Sequence, residues 1–122
     1  MGRSIIERLR AADRDMEIIA VGTNALAASA MLNAGADAGA SGENAVVVNS
    51  RDADVIIGPI GIIAADSLYG EVTPKMAEAA AQSRAKKILI PVNKCNLHIA
   101  GIKDVPMAEL VRLAVEELTS SL

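Results

Sequence analysis

Apolar residues recur along this chain with two alternating periods. Ile5, Ile6 and Leu9 fall at helical spacing, with Glu7, Arg8 and Arg10 on the opposite side, which predicts an amphipathic helix reaching about Ala12. Asp13-Arg14-Asp15 interrupts that pattern as a turn, and Glu17 to Val21 reads as a short apolar strand. Gly22-Thr23-Asn24 ends the strand and starts a helix over Ala25 to Ala34, with Thr23 or Asn24 as N-cap and Gly35 as the stop. Val55-Ile56-Ile57 is a wholly apolar strand of the kind buried on both faces of a parallel sheet. Thr73-Pro74 places a capping hydroxyl before a proline at the first helical position and opens a helix that runs to about Arg84. Lys87 to Val92 is a further buried strand. Only Asn93-Lys94-Cys95-Asn96 separates it from Leu97 to Ile102, so those two segments are expected to pair as an antiparallel hairpin. Pro106 opens the last helix, whose buried face is expected to carry Met107, Leu110, Val111, Ala114, Val115 and Leu118.

The stretch from Ala36 to Asp54 admits two parses. Val46 to Val48 favour a strand by side-chain propensity. A second strand begins at about Asp54, however, and Asn49 to Ala53 is too short for a crossover between parallel strands, which takes about a dozen residues. The consistent parse has a short strand at Asp37 to Ala40 and a helix from Glu43 to Arg51 that starts after Ser41-Gly42, with the Glu43 charge in the first turn.

This order predicts a single α/β domain over residues 1–122: a three-layer, doubly wound, mostly parallel sheet of Rossmann-like type, ending in the hairpin. In such folds ligands bind where strand C-termini meet helix N-termini. Four stretches converge on that rim: Gly22-Thr23-Asn24, Ser41-Gly42-Glu43-Asn44, Gly58-Pro59-Ile60-Gly61 and Asn93 to Asn96. The first helix begins at once, with no strand and no glycine-rich turn ahead of it. Those two elements normally form the centre of the sheet and its phosphate cradle, so they are expected upstream of Met1, removed by truncation or by an internal start.

Composition narrows the function classes. Of 122 residues, 52% are hydrophobic and only 1% aromatic, so the ring platforms that stack nucleic-acid bases are missing. A net charge of -3 further argues against a phosphate-backbone binder. The one cysteine excludes an internal disulfide framework, and the start lacks a signal-peptide pattern, which suggests a reducing cytoplasm. The longest apolar run, Val55 to Ala65, is broken by Gly58, Pro59 and Gly61 and is too short to span a bilayer. A mean hydropathy of +0.34 leaves apolar surface that could cover a homodimer interface.

Several motifs together resemble a known family. They are Ala20-Val21-Gly22-Thr23-Asn24-Ala25, Gly42-Glu43-Asn44-Ala45, Asp54 to Ile63, Gly70-Glu71-Val72-Thr73-Pro74-Lys75-Met76-Ala77-Glu78 and Ile90 to Asn96. Over nearly the whole chain they are similar to the bacterial family catalogued as domain of unknown function 3842. The resemblance implies an upstream strand and a glycine-rich turn leading into the helix that contains Gly2-Arg3, and it supplies no activity.

Candidate ligand-binding residues are Gly22, Thr23, Asn24, Glu43, Asn44, Gly58, Pro59, Gly61, Asn93 and Asn96. Thr23 and Asn24 could donate to a phosphate or ribose, or serve only as caps. Glu43-Asn44 could bind a ligand or move a proton, or be a solvated first helical turn. Gly58 to Gly61 could admit a ligand close to the backbone, or be a tight strand exit. NAD or NADP is a conceivable cofactor, but the acid that would hold a ribose, or the Arg for a 2′-phosphate, is not found after the strand that ends at Val21. Cys95 beside Lys94 is a candidate nucleophile or redox centre, or a structural thiol. With His98 it cannot complete a zinc site unless Asp or Glu side chains or a second subunit contribute, and no metal is expected. Three function classes follow: a module binding a nucleotide or phosphorylated small molecule, a small metabolic enzyme using Glu43, Asn44, Asn93 and Cys95, or an assembly subunit.

Overall fold

The computed structural model describes residues 1–13, 15–92 and 96–121. Helices and short strands alternate: α1 (Gly2–Ala12), β1 (Ile19–Gly22), α2 (Ala25–Asn33), β2 (Ala38–Ser41), α3 (Glu43–Asp52), β3 (Val55–Pro59), a 3-10 turn (Ile60–Ile63), α4 (Pro74–Gln82), β4 (Lys86–Ile90) and α5 (Met107–Ser120). The three valines of the ambiguous stretch are helical. Val46 packs from α3 against a small cluster of Val72, Met76 and Ala77, so tertiary packing overrides β-propensity there.

The strands pair in parallel. In β1 and β2, Ile19 lies opposite Ala38 and Gly22 opposite Ser41. In β3 and β4, Val55 lies opposite Lys86 and Pro59 opposite Ile90. Among the described residues these are two separate two-stranded sheets rather than one continuous one. One larger core nevertheless joins them. Ile5, Ile6 and Leu9 of α1 and Val111, Ala114, Val115 and Leu118 of α5 meet Ile18 and Ala20 of the first pair and Ile88 and Ile90 of the second. Helix α1 packs against α2 and α5, whereas α3 packs against α4.

Arg10 bolts α1 to the first sheet. Its Nε donates to the Gly35 carbonyl at 2.7 Å, one terminal nitrogen to the Met16 carbonyl at 2.5 Å and the other to Asp37 Oδ2 at 2.5 Å. The same Asp37 oxygen accepts from the Ile18 amide at 2.7 Å. That backbone bond first, and the Arg10 guanidinium second, hold the Asp37 carboxyl below the usual aspartate range.

Three expectations are corrected. Leu97 to Ile102 is not a strand: Ile102 N donates to the Ile99 carbonyl at 3.3 Å across a turn, with Gly101 at φ +88° and Asn96 at φ +53°. The left-handed backbone at Gly101 and the turn closed on Ile99 are incompatible with an extended hairpin arm. The loop proposed for that hairpin, Asn93 to Cys95, lies outside the described residues. Val55, Ile56 and Ile57 are only half-buried, because among the described residues β3 has a strand on one side only. Met107, expected on the buried face of the last helix, is 44% exposed at its first turn.

Candidate functional site

Two strand ends are pinned together: the Gly42 amide, just after β2, donates to the Gly22 carbonyl at the end of β1 at 3.1 Å. Gly22 is required for steric reasons, since a Cβ there would stand 2.7 Å from the Ala28 nitrogen and 2.8 Å from the Asn24 oxygen. The first turn of α2 thus lies against the strand it follows. Asn24 caps that helix, its Oδ1 accepting from the Ala27 amide at 2.9 Å. Gly42 takes φ +97° at the N-cap of α3, a left-handed conformation that turns β2 directly into the helix begun by Glu43.

The segment from Ala64 to Thr73 returns from β3 to α4 over this same end. Asp66, Leu68 and Tyr69 have φ of +65°, +55° and +56°, each a conformation costing on the order of 1–3 kcal/mol for a residue with a side chain. Surrounding bonds hold it there. Asp66 N donates to the Val72 carbonyl at 2.7 Å, Val72 N to the Ser67 carbonyl at 3.2 Å, and Ser67 Oγ to the Gly61 carbonyl at 2.5 Å. Leu68 and Val72 sink into the small core beside α4, leaving Tyr69 fully exposed at the tip.

The loop delivers Glu71 to the end of β1. Its Oε1 accepts from Asn24 Nδ2 at 3.0 Å and its Oε2 from Thr23 Oγ1 at 3.3 Å. Beside it, Thr73 caps α4 by accepting from the Met76 amide at 3.1 Å while its hydroxyl donates to Glu43 Oε2 at 2.6 Å. Thr23, Asn24 and Glu43 therefore stand on a polar rim, as the sequence suggests, together with Glu71 and Thr73, which sequence reasoning missed. Chain topology held a signal for both: a loop from the C-terminal end of a parallel strand to the next helix must cross that rim.

The remaining candidates separate from this group. Asn44 is exposed on α3 and makes no side-chain hydrogen bond with a described residue. Gly58 is buried within β3, where a Cβ would make only ordinary contact with Ile62, and the Gly61 carbonyl is taken up by Ser67 Oγ and the Ala64 amide. Those glycines, with Pro59 at the strand end, anchor the loop. Asn96 is exposed in left-handed backbone, and Asn93 and Cys95 lie outside the described residues. Among the described residues no group of three His, Cys, Asp or Glu side chains could hold a metal, and no helix is long and apolar enough to cross a membrane.

Fold and rim together define a mixed α/β protein with a carboxylate-bearing polar site at the C-terminal ends of its parallel strands. The chain belongs to the family described as Domain of unknown function (DUF3842), whose model matches residues 1–122. Neither the curated proteins nor the solved structures contain a match to it.

Proposed function

We propose that this protein is a ligand-binding module of Rossmann-like design whose rim takes the ribosyl hydroxyls of a nucleoside or nucleotide. The observation that carries this reading is the position of Glu71. Dinucleotide-binding folds hold a ribose through an acidic side chain in the region following the second strand of the unit. Here the acid reaches the end of β1 from the loop before α4, supported by Thr23 and Asn24. A carboxylate offers about four acceptor positions, so two protein donors leave capacity for a vicinal diol. Tyr69, two residues earlier on a rigidly held loop, offers the base an exposed ring for stacking. Glu43 adds a second negative charge to the rim, which disfavours a bare phosphate beside α3 and directs any phosphate away from it.

Calorimetric titration with adenosine, NAD, NADP, ribose 5-phosphate and inorganic phosphate tests this reading. Ribosyl compounds bind and phosphate alone does not. Glu71→Gln weakens binding by roughly 10–100-fold, the worth of about 1.5–3 kcal/mol for hydrogen bonds to a charged group. Failure of every ribosyl compound, or affinity unchanged in Glu71→Gln, refutes it.

A specific observation also favours self-association. Helix α2 carries Leu26 and Leu32, 84% and 45% exposed. Two large apolar side chains left exposed on one short helix suit a homodimer contact. Leu26→Glu then converts the protein to a monomer in sedimentation, whereas sedimentation as a monomer before substitution rules the contact out.

A further inference from the structure

Helices α3 and α4 run side by side in the same direction. At their starts Thr73 bonds Glu43, and at their other ends Ser83 Oγ donates to the Ser50 carbonyl at 2.6 Å. A groove of about 390 Å³ lies between them. Lys75, Glu78, Ala79 and Gln82 recur at i, i+3, i+4 and i+7 along α4, and Val47, Ser50 and Arg51 at i, i+3 and i+4 along α3, so each helix contributes one stripe. Half-buried Val47 and Ala79 give the groove an apolar floor, while exposed Arg51, Lys75 and Arg84 form its rim.

The chain as a whole has a net charge of -3, yet three cations line this one groove. None of them makes an ion pair or a side-chain hydrogen bond with a described residue. Cations near helix C-termini ordinarily complement the dipole and its free carbonyls. Here other groups already take those carbonyls: Lys87 Nζ donates to Ser83 at 2.7 Å and to Ala85 at 3.4 Å, and Ser83 Oγ takes Ser50. Arg51 and Arg84 are therefore surplus to capping. Ser50 is a second, independent sign of a ligand. It is only 8% exposed, and its hydroxyl has no hydrogen-bond partner among the described residues. No fully enclosed side-chain polar atom among them lacks a partner, so this hydroxyl opens on the groove that Ser50 lines.

We propose that the groove between α3 and α4 binds an acidic peptide segment of a partner protein, extended along the two helices, with two carboxylates about four residues apart. The spacing of the cations sets that pattern. Lys75 and Arg84 are nine positions apart, roughly 13 Å at the rise of a helix. An extended peptide covers that length in about four residues. One carboxylate meets Lys75; the other meets Arg51 and Arg84, which flank the contact between Ser50 and Ser83. Glu78 stands between the two ends, its Oε1 accepting from Gln82 Nε2 at 3.3 Å, so the middle of the peptide carries no acid. Small apolar residues there rest on Val47 and Ala79, and the Ser50 hydroxyl bonds the peptide backbone. A compact phosphate fits less well, because cations this far apart cannot converge on it and the Arg51 end faces the negative poles of two helices. Nucleic acid finds no aromatic platform in the groove.

Fluorescence anisotropy of a labelled, capped seven-residue peptide tests this, with glutamates at its second and sixth positions and alanine, valine and serine elsewhere. A second peptide of the same composition has the two glutamates adjacent. The full chain binds the spaced peptide with a Kd below about 1 mM at low salt and the adjacent-glutamate peptide several-fold more weakly. Arg51→Gln and Arg84→Gln together weaken binding by more than about tenfold with the melting midpoint kept, and Ser50→Ala weakens it by about fivefold. Glu78→Gln, which removes the opposing charge, tightens binding. Inorganic phosphate and a short single-stranded oligonucleotide serve as competitors. Absence of binding up to about 1 mM, equal affinity for the two peptides, or a competitor that binds as tightly as the spaced peptide overturns the proposal, as does affinity unchanged both in the arginine double variant and in Glu78→Gln.

Discussion

Ile90→Ala probes whether the two strand pairs form one folding unit. Ile90 is 1% exposed in β4 and belongs to the same cluster as Ile5 of α1 and Ile18 and Ala20 at β1. Removing three carbons from a site enclosed by helices and strands leaves a cavity that cannot collapse fully, at a cost of about 2–5 kcal/mol. A chain of 122 residues has a total stability of roughly 6–18 kcal/mol at the usual value per residue. The substitution therefore removes a large share of it and lowers the melting midpoint by about 10 °C. Urea unfolding followed by far-ultraviolet circular dichroism, with amide exchange read at residues 18–22, measures the effect. A shared core makes the β1 amides lose protection in step with those of β4. Weakened protection in β4 with residues 18–22 unchanged would mean that each pair folds on its own, and the single-core argument fails.

Gly22→Ala drives a methyl group into the start of α2 and costs about 1–3 kcal/mol in urea unfolding; a loss below a few tenths would show that the close approach is relaxed in solution. Asn24→Ala removes the cap of α2 and one of the donors to Glu71, lowering stability by about 1 kcal/mol, and Asn24→Ser, which keeps a capping oxygen without adding a charge beside Glu71, restores part of that loss. Asp37 has a depressed carboxyl pKa in the folded state, so its contribution is present above the ordinary aspartate value of about 4 and is lost as the pH falls through the lower folded value. Asp37→Asn is therefore less stable at neutral pH and loses stability less steeply below about pH 4 than the parent; parallel stability curves would contradict the assignment.

Helix and strand periodicity was legible in this chain wherever burial was one-sided. Ile5, Ile6 and Leu9 point into the core as their spacing predicts, and the loop-length argument at Asn49 to Ala53 places Val46 to Val48 in a helix against their own propensity. Leu97 to Ile102 misled because a short apolar run without strict alternation reads equally as a strand or as a loop, and Gly101 there takes a left-handed turn. The rim was half legible. Thr23, Asn24 and Glu43 flank strand ends and follow from topology, whereas Glu71 arrives through a loop whose path depends on three left-handed residues with side chains. No composition rule anticipates non-glycine residues in that conformation, so the Glu71 contact became visible only in three dimensions.

The exposed phenol of Tyr69 has a practical consequence. It is the only aromatic side chain among Phe, Trp and Tyr in the chain, and it projects from the rim loop rather than from the core. Intrinsic emission is therefore a single-residue channel centred on the candidate site, little changed by unfolding because the ring is already in water. An optical signal from this protein distinguishes occupancy from denaturation without any introduced label: a molecule resting on the rim alters it, and loss of the fold largely does not.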